Sequence, residues 1–198
     1  MHSHITHLYA LLETAKEIGV PHVYIHFFGD GRDTAPRSAA GYAQDLLDFL
    51  GKEQYGEIAT VVGRYYAKDR DKRWERVKIA VDGLVKGEGE KSNNLVDTIK
   101  ARYEKDETDE FLKPIILGNS EESRIKGTFV HIFCKDHAYK AMFHLDDDTL
   151  FFFNYRSDRM REIASVFGLP DKPMEVDVPK NLVRFIDLRF RSQDSHFV

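Results

Sequence analysis

His22–Leu50, HVYIHFFGDGRDTAPRSAAGYAQDLLDFL, sets a short apolar run, a glycine-rich turn and an amphipathic segment in immediate succession. The run HVYIHFF is too short for a stable helix and rich in aromatic and β-branched residues, which predicts a strand. In SAAGYAQDLLDFL the apolar residues fall at helical spacing, which predicts a helix beyond the turn. The same succession returns along the chain: EIATVV before DKRWERVKIAVDGLV, then PIIL, and later TLFFFN before DRMREIASVFGL. Strands alternating with helices are the mark of a single α/β domain, a mostly parallel sheet flanked by helices. An opening helix is expected over Thr6–Ile18, with Leu8, Leu11, Leu12 and Ala15 on one face and Gly19 ending it. KGEGEKSNN is the most loop-like stretch, and the chain has no internal repeat.

Composition narrows the classes. The chain has 198 residues, 42% of them hydrophobic, which suits one domain with one good core. A formal net charge of -4 argues against a surface built to coat nucleic acid or anionic lipid, so any positive field must be local. Cys134 is the sole cysteine. It excludes an intramolecular disulfide framework and a cysteine-based zinc site, and it fits a reducing compartment. No apolar run approaches membrane-spanning length and MHSHITHLYALL lacks a secretory pattern, so a soluble, cytoplasmic protein is expected.

In open α/β sheets ligands gather on the loops that leave the strand ends. Three such loops carry arginine: GDGRDTAP, GRYYAKDRD and NYRSDR. In GRYYAKDRDKRWERV the residues Trp74, Val77, Val81 and Leu84 form a buried helical stripe. Arg73 and Arg76 then read as solvated flank, with Asp69 and Arg73 as a weak surface pair. Arg64 and Arg70 precede that helix, where a guanidinium fork can point over the strand ends toward an anion. Gly29 and Gly31 permit a tight turn or close approach to a ligand, while Asp33 and Thr34 can cap the helix beyond the turn. Arg32 is left unexplained by a plain turn. Arg156 and Arg159 stand at a helix start, where the macrodipole favours acidic residues. Either a bound anion or neutralisation by Asp158 and Glu162 relieves that conflict. His2, His4 and His7 do not have the spacing of a zinc helix, and hydrogen-bonding roles suit them better. The triple aspartate of LDDDT reads as a turn, and no activated serine or cysteine nucleophile is evident.

Taken in order, HSHITHL, HFFGDGRDTAP, GRYYAKDRDKRWERV and FFFNYRSDRMRE resemble the cofactor-independent (2,3-bisphosphoglycerate-independent) phosphoglycerate mutases. The resemblance covers about residues 2–126 and 145–182. That family joins a phosphatase-like domain, with a serine nucleophile and two metal ions, usually Mn2+ (manganese), to a smaller inserted transferase or cap domain. This chain is similar to the cap domain alone. The resemblance implies interconversion of 3-phosphoglycerate and 2-phosphoglycerate through a phosphoserine intermediate, in glycolysis and gluconeogenesis. It also implies that His2, Arg32, Asp33, Arg64, Arg70, Arg156 and Arg159 contact the small-molecule substrate. The serine and the metal ligands belong to the other domain, so no catalytic or metal-binding residue is expected here. The chain alone is expected to be inactive and monomeric, and an inert phosphometabolite-binding fragment is the alternative. Nucleic-acid binding through the arginine-rich stretch is disfavoured by the acidic balance, and no membrane partner is expected.

Three departures accompany the resemblance. Lys68 stands where the family often has methionine. Residues 127–144, GTFVHIFCKDHAYKAMFH, replace a short turn, and 183–198, VRFIDLRFRSQDSHFV, form an atypical tail after the domain at 1–182. Both segments are compatible with translated intervening sequence; the rival reading is a genuine insertion with TFVHIF as an added strand and Cys134 buried.

Overall fold

Helix α1 (Ile5–Glu17) starts where His4 supplies its own cap. The His4 Nδ1 accepts the Thr6 N–H at 3.3 Å, and the His4 N–H donates to His7 Nδ1 at 3.4 Å. Two of the three clustered histidines thus serve the helix end, and the helix begins and ends one residue earlier than expected. The computed structural model describes residues 4–118, 123–125, 149–154, 156–169, 171–176, 178 and 184–187. His2, the segment 127–144 with Cys134 and the strand one reading expects there, the aspartates at 146–148 and most of the tail lie outside them.

Strands β1 (Tyr24–Gly29) and β2 (Glu57–Gly63) run parallel, with helix α2 (Ala39–Glu53) between them in sequence. Gly29 stands opposite Gly63, so the segments leaving the two strands start at the same level. Beyond β2 the chain forms α3 (Arg64–Ala67), α4 (Trp74–Lys86), the three-residue strand β3 (Glu90–Ser92), α5 (Leu95–Tyr103), a 3-10 turn at Asp109–Phe111 and β4 (Ile115–Leu117). The sheet order is β1-β2-β4-β3, with β4 antiparallel to β2 and parallel to β3. A second sheet pairs β5 (Thr149–Phe152) in parallel with β6 (Arg184–Asp187), and α6 (Ser157–Gly168) follows β5. The α/β class and largely parallel pairing match expectation, while the β2–β4 pairing makes the main sheet mixed. KGEGEKSNN departs from its expected loop character, because the β4 backbone holds Glu90–Ser92 as a strand without any apolar residue there.

Alternation along β2 divides the interior. Val61 belongs to a cluster with Leu12, Leu46, Ile99 and Ile115 beneath α1, α2 and α5. Its neighbour Val62 belongs to another with Val77, Val81, Leu84, Leu150 and Ile163 beneath α4 and α6. Each fully buried side chain of this size contributes roughly 1.5–3 kcal/mol of transfer free energy. The expected α4 stripe is present, with Val77, Val81 and Leu84 buried and Trp74 packed against them.

Candidate functional site

The paired ends of β1 and β2 bring two loops together, and a carboxylate joins them. The turn after β1 reverses at Gly31, whose φ of +66° suits glycine. Asp30 ties that turn, its Oδ1 accepting the N–H of Arg32 at 3.1 Å and of Asp33 at 2.7 Å. Arg64 opens α3 directly after β2, and only 3% of its side chain is exposed. Its Nη1 donates to Asp30 Oδ1 at 2.8 Å and to Asp33 Oδ2 at 3.2 Å. The Lys68 ammonium, also buried, lies 3.3 Å from Asp30 Oδ2. Burial opposes the charge on Asp30. The Asp33 N–H, the Lys68 ammonium, the Arg32 N–H and the Arg64 guanidinium outweigh it and hold the carboxyl far below the usual range. For Lys68 burial prevails, lowering its pKa although Asp30 favours the charged form.

A second carboxylate gathers the remaining arginines. Arg156 stands immediately before α6 and donates to Asp158 from Nε at 3.3 Å and Nη2 at 3.2 Å, and Arg70 reaches the same carboxylate at 3.1 Å. Burial opposes its ionisation, but the hydrogen bonds from Arg156 and Arg70 dominate and lower its pKa. Arg159 links the two groups, donating from Nη1 to the Lys68 carbonyl at 3.2 Å. Its Nε is buried and finds no partner among the described residues. Burial, followed by the nearby charges of Arg64 and Arg70, lowers its pKa. Arg32 stands apart, largely exposed and 3.8 Å from Glu110.

The structure thus gathers Asp33, Arg64, Arg70, Arg156 and Arg159 of the expected set, sets Arg32 at its margin, and leaves His2 outside the described residues. Neutralisation at the α6 start falls to Asp158 and not to Glu162, which points elsewhere. Glu162 Oε1 accepts the Lys72 N–H at 2.7 Å, while Asp69 Oδ2 accepts the N–H groups of Asp71 and Arg73 at 3.0 and 2.9 Å. These two buried carboxylates shape the segment that carries Arg70. Burial, opposed by the Lys72 N–H but reinforced by Asp69, pushes the Glu162 carboxyl up.

Both expectations for the α4 flank need correcting. Arg76 is no solvated flank: its guanidinium lies 3.9 Å from the Tyr65 ring centroid and 3.5 Å from buried Asp69. Asp69 meets the backbone of Arg73, not its side chain. Sequence reasoning also passed over Asp30, although an aspartate between two glycines and two residues before an arginine is a visible signal. Asp109 had no local signal at all. Its Oδ2 caps α2 from seventy residues away, accepting the N–H groups of Ser38 and Ala39 at 2.8 Å each. The cap expected from Asp33 or Thr34 is therefore supplied by Asp109.

Fold and charge pattern together define an α/β domain with a candidate anion site where two strands end. The chain belongs to the BPG-independent phosphoglycerate mutase family, matching the model described as the BPG-independent PGAM N-terminus over residues 1–138. Among similar proteins, the 2,3-bisphosphoglycerate-independent phosphoglycerate mutase of Onchocerca volvulus is 52% identical over 187 residues, covering 92% of this chain and 32% of that protein. The enzyme of the same name from Myxococcus xanthus is 44% identical over 171 residues, covering 86% and 30%. Leishmania mexicana phosphoglycerate mutase, crystallised at low cobalt concentration, matches with a TM-score of 0.74 at 24% identity, over 93% of this chain and 32% of that one. That likeness supports the fold alone. The chain spans about a third of the length of the curated relatives it matches. Among the described residues no three histidine, cysteine or acidic side chains converge to hold a metal ion. No described helix is long and apolar enough to cross a membrane.

Proposed function

We propose that this chain is the substrate-binding, transferase part of a phosphoglycerate mutase that interconverts 3-phosphoglycerate and 2-phosphoglycerate. The observation that carries the reading is a local imbalance of charge. Arg64, Lys68, Arg70 and Arg156 share three carboxylates, Asp30, Asp33 and Asp158, and Arg159 joins the cluster through the Lys68 carbonyl, leaving two positive charges over among these eight groups. The Arg159 Nε, without a partner among the described residues, supplies a buried donor within that cluster. A small anion with a phosphate and a carboxylate matches this surplus, and guanidinium forks suit both groups.

Binding exchanges partners. The Asp158 pairs are half exposed, so Arg70 and Arg156 can turn from carboxylate to substrate at little cost. Arg64 is buried and fixed, and it offers a positioned cation that need not reorganise as phosphoryl charge moves. Asp33, partly exposed beside it, is suited to accept from a substrate hydroxyl. The serine nucleophile and the metal ions that the resemblance implies belong to the part of the relatives that this chain does not span.

A graft tests the reading. Replacing the matched third of the Onchocerca volvulus relative with this chain should give an enzyme with mutase activity, and Arg64→Ala in the graft should lower turnover by about a hundredfold. Unimpaired turnover in that variant would remove Arg64 from the site. The purified 198-residue chain with manganese should give no turnover. Turnover there would contradict the assignment of the chemistry to the remainder of the relatives.

A further inference from the structure

We propose that Asp109 is the positioning residue for both loops of the anion site, setting Arg32 and Asp33 on one side and Arg64 on the other. The inference rests on the phosphoglycerate reading of that site. Asp109 is 1% exposed, and its carboxylate is turned to the start of α2 and to Tyr103. Both carboxylate oxygens are engaged. Oδ2 accepts the N–H of Ser38 and of Ala39 at 2.8 Å and the Ser38 hydroxyl at 3.2 Å. Oδ1 accepts the Tyr103 hydroxyl, whose oxygen in turn accepts the Ala40 N–H at 3.2 Å. Burial and the Asp109 hydrogen bond push the Tyr103 hydroxyl up, so it remains a donor.

The backbone around Asp109 grips the first loop at both ends. The Asp109 N–H donates to the Pro36 carbonyl at 2.9 Å, beside the cap on α2. At the other end Gly31 lies against the same turn, since a Cβ there would stand 2.8 Å from both the Asp109 Cβ and the Glu110 nitrogen. Arg32 and Asp33 are therefore strung between two contacts with one residue. The close approach that Gly31 permits is made by the chain itself.

The second loop rests on the next residues of the same turn. Gly63 donates its N–H to the Leu112 carbonyl at 2.7 Å, immediately before Arg64. The Tyr65 ring lies 5.1 Å from the Phe111 ring, immediately after it. Residues 109–112 thus form one template against which both loops are set, and the Asp109 carboxylate anchors the template to α2. The same contacts consume the N–H groups of Ser38, Ala39 and Ala40 at the α2 start. That helix end has none of them to offer an anion, which leaves recognition to the arginines.

The test uses the full chain, titrated calorimetrically with 3-phosphoglycerate, with amide exchange followed by NMR. Asp109→Ala should weaken binding by about thirtyfold and speed exchange of the Gly63 and Asp33 amides by about tenfold. Asp109→Asn keeps an oxygen for the α2 amides and should recover affinity to within about threefold. Asp82→Ala, which removes another buried aspartate remote from the loops, should lower the melting temperature without moving affinity or those amides. Equal effects from Asp82→Ala and Asp109→Ala, or unchanged affinity and exchange in Asp109→Ala, would overturn the proposal. Where Asp109→Ala does not fold, Tyr103→Phe decides: a loss of about fivefold in affinity supports positioning and no loss overturns it. If the unaltered chain takes up no 3-phosphoglycerate, the functional reading falls, and the exchange rates alone then judge Asp109.

Discussion

Asp30 meets a guanidinium, an ammonium and two backbone N–H groups within 3.3 Å, so its ionised form is built into the folded state. Its carboxyl pKa is depressed, so the stability it contributes is complete above the ordinary carboxylate range, near pH 4, and drains away as pH falls below about 4. Asp30→Asn should therefore flatten the acid limb of a stability-against-pH curve measured by urea unfolding, while lowering stability at neutral pH. An acid limb as steep as that of the unaltered chain would show that Asp30 does not hold its charge against burial. Lys68 gives this residue a particular weight here. It places a buried ammonium on Asp30, and so tightens the very carboxylate that Arg64 also needs. Roles such as these are hard to foresee from local sequence, because they are fixed by partners thirty or more positions away. Arg76 is hidden by closer partners: helical spacing placed it on a flank, and the turn before α4 brings Tyr65 and Asp69, eleven and seven positions back, to its guanidinium.

At the scale of elements, the site depends on where two parallel strands stop. The pairing of Gly29 with Gly63 starts both loops level, and the turn at Asp109–Phe111 presses against them from beyond the strand ends. A Cβ at Gly63 would fall 2.7 Å from the Glu110 carbonyl carbon and 2.7 Å from the Leu112 nitrogen, both backbone atoms that cannot yield without moving the turn. Gly63→Ala should cost about 2–3 kcal/mol in chemical unfolding, as overpacking against backbone does. A cost below about 0.5 kcal/mol would mean that the loops are not held by this contact. The strands and helices themselves were legible, because HVYIHFF, EIATVV and PIIL are apolar runs and the α4 stripe keeps helical spacing. The strand at Glu90–Ser92 was not, since three polar residues acquire strand geometry solely by pairing with β4. The helix α3 was likewise hidden in a segment read as loop.

Across the whole molecule, two clusters of buried side chains clamp the main sheet from opposite faces and leave the polar work to one end of it. The arginine loops were legible as a set from their positions after strands. Their arrangement into an Asp30 group and an Asp158 group, bridged by Arg159, was not, because spacing along the chain says nothing of which carboxylate each cation meets. Family membership is established by the match over residues 1–138, while the activity of the longer relatives reaches this chain only as a proposal. The central claim is that the surplus positive charge of this cluster binds phosphoglycerate. Its most direct test is calorimetric titration of the 198-residue chain with 3-phosphoglycerate, set beside Arg156→Ala, whose half-exposed side chain can be removed without opening the core. The expected result is one molecule bound per chain, weakened by rising salt and by about tenfold in the variant. No binding by the unaltered chain, or equal binding by Arg156→Ala, would contradict the account.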